Sequence, residues 1–257
     1  MCVDDFGSFS CKDLNCEPGT KICQTEDVYV CAEDGMSNIL SKNCTDSQYC
    51  DDTIDPVDCK DMVCVPDEDY CDSDILKTCN SVGSGGTTLK DCTTDGGVCD
   101  GGLLDCVYVG EIGGTVSFSS TGRRGNFFNC TKDVTVVEFA QGFDLFDSTD
   151  LTWVIYEDAN GDNTYQKIFD KTETVSSNGK GHYSTGTIFI NIKSGRKYLF
   201  VTVWSGSRTF LHGGSHPVDM GFGSSFAGYI GNSSIENELV NPYQTTNIYN
   251  QQIKFVE

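Results

Sequence analysis

Asp158, Asn160 and Asp162 set three oxygen-bearing side chains at alternate positions of the run Asp158-Ala159-Asn160-Gly161-Asp162, the spacing by which a loop wraps hard oxygen ligands around a calcium ion. The fit is partial. Asn163 stands where a helix-flanked calcium loop needs glycine, Gly161 comes early, and no glutamate closes the twelfth place. The same residues also spell an Asp/Asn/Gly hairpin turn, so both readings stand. His212 and His216 with Asp219 offer a second donor set, suited to a transition metal if a fold converges them and to a loop if Gly213, Gly214 and Pro217 keep them apart. The acidic groups Asp51-Asp52 and Asp67-Glu68-Asp69 are either further calcium ligands or solvated faces.

Aromatic residues raise a different chemistry. Trp153 and Trp204, with Tyr156, Tyr183 and Tyr198, would make a sugar-stacking platform on an open face, or would fill the interior if they point inward. Catalytic signatures are missing: there is no Gly-x-Ser-x-Gly elbow, no His-Glu-x-x-His and no phosphate-binding glycine loop. The expectation is therefore a protein that is not an enzyme. Three triplets, beginning at Asn43, Asn129 and Asn232, fit the glycosylation acceptor pattern.

The cysteines carry the strongest pattern. Fourteen of the 15 lie between Cys2 and Cys106, and Cys130 stands alone beyond them. With three histidines in the chain and no Cys-x-x-Cys pair, the pattern favours disulfides formed in an oxidising compartment over zinc sites. At an offset of 48 residues, Cys11, Cys16, Cys23, Cys31 and Cys44 fall on Cys59, Cys64, Cys71, Cys79 and Cys92, and Cys50 meets Cys99 after one inserted residue. Cys11-Lys12-Asp13 with Pro18 recurs as Cys59-Lys60-Asp61 with Pro66. This is a duplicated module. Each full unit holds six cysteines, Cys16 to Cys59 and Cys64 to Cys106. Cys2 and Cys11 belong to the tail of a further copy, so a longer natural protein is expected. Six cysteines allow 15 pairings; Cys2–Cys11, Cys50–Cys59 and Cys99–Cys106 are the natural local pairs. A free Cys130 implies an intermolecular bridge or a buried thiol.

The elements follow from composition. Residues 1–107 carry 23 acidic and 6 basic side chains, and residues 108–257 carry 15 and 11, so the net charge of −21 lies mostly in the first part. That balance repels phosphate arrays and argues against a nucleic-acid partner. No apolar run approaches the ~20 residues of a membrane span. Modules this small, with few large apolar residues, need their bridges to fold. From residue 108 the texture alternates: Thr115–Phe118, Val134–Phe139, Leu151–Tyr156, Ile188–Ile192, Tyr198–Trp204 and Ile248–Val256 read as strands. The fold class expected is mainly β, with small disulfide-rich modules followed by an antiparallel β-sandwich of jelly-roll type. The domains expected are 1–15 (tail of a repeat), 16–59 and 60–107 (repeats) and 108–257 (sandwich).

The Cys-x-Pro opening at Cys16 and Cys64 and the spacing that follows resemble the cysteine-rich repeats of large secreted bacterial surface proteins. The segments around Ile155-Tyr156-Glu157, Gly181–Gly186, Ser194–Leu199 and Val203–Gly206 resemble the β-sandwich domains of secreted bacterial adhesins and hydrolases. The resemblance implies an extracellular stalk carrying a docking domain. Its partners would be proteins, including further copies of the chain joined through the C-terminal strand, and the alternative is a carbohydrate-binding module.

Overall fold

A computed structural model describes residues 2–5, 8–11 and 15–257, with the side chains described from residue 15 onward. The side chains of Cys2 and Cys11, and so their pairing, lie outside the described residues. The chain divides into two compact units, Met1–Asp91 with Cys99–Leu104, and Cys92–Val98 with Asp105–Glu257. The strand Asp105–Ile112 begins before the expected boundary at 107, and its residues 108–112 pair with the C-terminal strand. Among the described residues there is no α-helix, and all strand pairing is antiparallel.

The 48-residue repeat is visible in the backbone. In the first module Lys21–Gln24, Asp27–Cys31 and Asn38–Lys42 form a three-stranded sheet, and Asp69–Asp72, Ile75–Cys79 and Gly86–Asp91 form its counterpart in the second. Both first hairpins turn through a residue with positive φ, Thr25 at 56° and Ser73 at 56°. That conformation matches the twist of the strands, and it costs the β-branched Thr25 more than it costs Ser73.

Bridges repeat too. Cys16–Cys31, Cys23–Cys50 and Cys44–Cys59 in one copy correspond to Cys64–Cys79, Cys71–Cys99 and Cys92–Cys106 in the other. The local pairs expected from spacing, Cys50–Cys59 and Cys99–Cys106, do not form. Cys50 and Cys59 sit directly opposite each other in the hairpin Gln48–Asp51/Asp58–Asp61. Directly opposed residues keep their Cβ atoms ~4.5–5.5 Å apart, wider than the ~3.5–4.5 Å a bridge spans, and the two sulfurs bond elsewhere, Cys50 to Cys23 in the strand Lys21–Gln24 and Cys59 to Cys44 in the loop after Asn38–Lys42. Besides cysteine, the buried apolar side chains are Val28 in the first module and Leu76 at the matching place in the second.

The second unit is one large curled sheet. Strands Gly223–Gly231, Val116–Cys130, Lys197–His212, Thr149–Asp158 and Thr164–Val175 lie side by side. The 238–245 segment then pairs with Thr164–Val175 at one end and Gly223–Gly231 at the other, which closes the curl. Phe127, Val154, Tyr156, Tyr165, Leu199 and Val201 fill its interior. The opposite face of the same strands packs on a second layer formed by Asp105–Ile112, Gln251–Val256 and Val134–Leu145. Phe139 meets Phe200 edge-on at 5.3 Å and Phe143 meets Trp204 at 5.1 Å.

Two long strands serve both layers. Val116–Cys130 and Lys197–His212 pair along almost their whole length, and their register shifts between Ser120 and Gly122. Gly122 has φ 113°, and a Cβ there would press on the Gly231 carbonyl oxygen at 2.5 Å, so glycine is what lets the ribbon bend.

The C-terminal strand corrects one expectation. Gln251–Val256 pairs with Asp105–Ile112 on one edge and with Val134–Leu145 on the other. With both edges occupied, it has no free N–H or C=O row with which to complete a neighbour's sheet.

Candidate functional site

Asp158 is buried and both its oxygens serve the turn that follows: Oδ1 accepts the Gly161 N–H at 2.7 Å and Oδ2 accepts the Asn163 N–H at 3.1 Å. Asp162 Oδ1 accepts the Thr164 N–H at 2.9 Å. The run 158–163 is built as a hairpin turn with positive φ at Gly161 and Asn163. No group of three or more metal-ligating side chains is assembled among the described residues. His212 packs against Phe118 and Phe210, while His216 lies against Ser225 and Asn247, with Nδ1 3.0 Å from Ser225 Oγ. The fold thus gives the two histidines separate surroundings.

The sugar-stacking expectation for Trp153 and Trp204 is corrected. Their exposures are 0% and 2%, so neither indole has a face open to a ligand. Both stand in the long alternating strands whose inward side chains build the core, and Trp204 Nε1 donates to the Ser120 carbonyl at 2.9 Å. Cys130 is a free, buried thiol rather than an intermolecular one, and desolvation raises its pKa to about 12. Asn43, Asn129 and Asn232 are exposed.

Polar and aromatic side chains do converge where the loop after Lys197–His212 meets the 244–247 segment. Gln244 and Thr245 pair with Tyr229 and Gly228. Glycine is required at 228, because a Cβ there would overlap the Asn247 carbonyl oxygen. From 249 onward a buried amide network fixes the path. Asn126 Nδ2 donates to the Tyr249 carbonyl and to Gln251 Oε1, both at 2.8 Å, and Asn126 Oδ1 accepts the Tyr249 N–H at 3.1 Å. Gln251 Nε2 donates to Gln141 Oε1 at 3.1 Å, and Gln141 Nε2 donates to the Asn250 carbonyl at 2.8 Å. Fully satisfied networks of this kind rigidify the backbone they hold.

Two recesses share Asn247. The first, of about 690 Å³, is open and lined by Ser215, His216, Gln244, Thr246 and Asn247 with Phe226 and Ala227. Burial lowers the His216 pKa, so the ring is neutral at pH 7 and can exchange hydrogen bonds in either direction. Ser225 stands against this histidine as a nucleophile against a base would, but its hydroxyl is fully buried and accepts the Val218 N–H at 3.1 Å. The second recess, of about 270 Å³, is lined by Phe118, Arg124, Phe210, His212, Ile230 and Tyr249. The bend at Gly122 brings Phe118 and Arg124, which lie on either side of it along one strand, into the same wall.

Sequence reasoning passed over Arg124, Phe226 and Gln244. For Arg124 a signal existed: Arg123-Arg124 interrupts a strand that otherwise continues into Gly125-Asn126-Phe127-Phe128, and a charge inside a core strand needs a partner or a purpose. No protein-family model, curated protein or solved structure matches this chain.

Proposed function

We propose that the chain is an extracellular structural or adhesive protein in which the bridged modules act as a spacer and the β unit as a docking domain. The observation that carries this reading is the duplicated bridge set. Two consecutive modules repeat three pairings, with separations of 15, 27 and 15 residues in one and 15, 28 and 14 in the other. Each module places its stability in covalent closure and buries one aliphatic side chain, which suits a unit selected for persistence rather than for a reactive site. Six bridges fit an oxidising, extracellular setting. No helix of the described residues is long and apolar enough to cross a membrane. The resemblance of the repeats to those of secreted bacterial surface proteins agrees with this reading.

Docking to copies of the same chain is tested by sedimentation of the oxidised protein across a range of concentrations, alongside negative-stain electron microscopy. Concentration-dependent assemblies are expected. A monomer at all concentrations that also fails to bind any immobilised glycan or matrix protein would overturn the proposal.

The open recess favours a second reading, glycan binding. Gln244, Thr246, Asn247 and Ser215 present amides and hydroxyls around Phe226, a donor–acceptor set matched to sugar hydroxyls beside one aromatic ring. A glycan array probed with the intact chain and with Gln244→Ala and Asn247→Ala is the discriminating measurement: binding lost in the variants supports this reading, and an array blank for the intact chain removes it.

A further inference from the structure

We propose that the Arg124 recess is a binding site for a small carboxylate carrying an aromatic or apolar body. The inference does not depend on self-association or on glycan binding. Arg124 is 8% exposed, and among the described residues no carboxylate pairs with it, whereas its neighbour Arg123 is held by Glu236 at 3.0 Å. A buried cation without a counter-ion is unusual, because taking the charge out of water costs more than neutral hydrogen bonds return.

The guanidinium is steered rather than neutralised. Nη1 donates to the Arg123 carbonyl at 2.7 Å and reaches the Gly231 carbonyl at 3.5 Å, and Nη2 donates to Ser120 Oγ at 2.6 Å. A guanidinium has five N–H donors, and no described residue takes the Nε–H, which shares one edge of the fork with Nη2. That edge matches the two oxygens of a carboxylate. The Arg124 Cζ lies 5.3 Å from the Phe210 ring centre and 5.9 Å from that of Trp204, which holds the fork in place and offsets part of its desolvation.

The rest of the wall selects the body of the ligand. Phe118 meets Phe210 at 5.8 Å, and Phe210 meets Tyr249 at 5.7 Å. Phe118 is 57% exposed and stands at the rim. A volume of about 270 Å³ sits at the small end of ligand sites and suits a single ring. The lining is mostly apolar and replaces little of the hydration of a multiply charged anion such as phosphate.

The test titrates the full oxidised chain with benzoate and phenylacetate, read by calorimetry and by the fluorescence of Trp204, which lies against the guanidinium. Saturable binding is expected, weaker by roughly tenfold or more for neutral benzamide and for inorganic phosphate, since a charge-assisted pair is lost. Arg124→Met should abolish the preference for benzoate over benzamide while thermal melting persists. Should that variant fail to fold, Phe118→Ala at the exposed rim serves instead and should weaken benzoate several-fold. Equal affinity for benzoate and benzamide, or no saturable binding of either carboxylate by the intact chain, overturns the proposal.

Discussion

Asp51 follows a bridged cysteine and does two jobs with one carboxylate. Oδ2 accepts from Lys60 Nζ at 2.7 Å, and Oδ1 accepts the Thr53 hydroxyl at 2.6 Å and the Thr53 N–H at 2.9 Å. Lys60 first, then Thr53, hold its pKa down at about 2, below the ordinary aspartate value of about 3.9. A depressed carboxylate stabilises the fold above its unfolded pKa and loses that contribution on acidification. The first module should therefore be unaffected between pH 7 and 5 and loosen as pH falls from about 4 to 2. Protease susceptibility across that range checks it, and Lys60→Met should shift the loosening to higher pH. In the β unit the decisive residues are amides and a glycine. Asn126→Leu orphans the Tyr249 backbone groups and the Gln251 amide, at about 1–3 kcal/mol for each group left unsatisfied; chemical denaturation would measure this. Gly228→Ala forces the 244–247 segment off its neighbour strand and should disrupt both recesses together, read as loss of protection from hydrogen exchange at Thr245 and Asn247.

Among the elements, the three-stranded sheets of the modules cannot hold themselves. Burying Val28 is worth about 1.5–3 kcal/mol, whereas each bridge contributes about 2–4 kcal/mol and there are three per module. Replacing Cys16 and Cys31 together by serine should cost the first module more than Val28→Ala does, as measured by hydrogen exchange at Val28 and Val30; the reverse order would show that apolar contact, not closure, dominates. The repeat was legible in the sequence because the cysteine spacing recurs from one copy to the next, but the pairing was not, since which sulfurs meet depends on how the hairpins stack. The strands around Val134, Leu151 and Tyr198 were legible from alternation. Thr164–Val175 was not, because it buries few residues along its length. Gly223–Gly231 escaped notice because its glycines, placed for close approach at 223 and 228, dilute the β-branched signal. The recess around Arg124 draws its walls from Val116–Cys130, its two paired neighbours and Tyr249, and the bend at Gly122 that sets Phe118 and Arg124 in one wall has no local signature beyond the paired arginines.

For the whole molecule, the two units rest on different physics. The first is bridge-held and strongly acidic; the second has aromatic side chains packed on both faces of its sheet, Phe127 inside the curl and Phe200 with Phe139 on the other face. Calorimetry of the oxidised chain should resolve two transitions, and reductant should remove the first while lowering the second by only a few degrees. Loss of both at once would show that the units are not energetically separate. The buried thiol of Cys130 bears on how such a chain matures. Desolvation pushes its pKa up to about 12, so the thiol rather than the reactive thiolate prevails at pH 7, and burial denies reagents an approach. Before the β unit closes, the same sulfur is an ordinary thiol beside fourteen others competing for partners. Closing the β unit thus withdraws one competitor from thiol–disulfide exchange and leaves an even set to pair. Oxidative refolding should then yield fewer scrambled isomers when the β unit folds first than when oxidation precedes it, and Cys130→Ala should erase the difference.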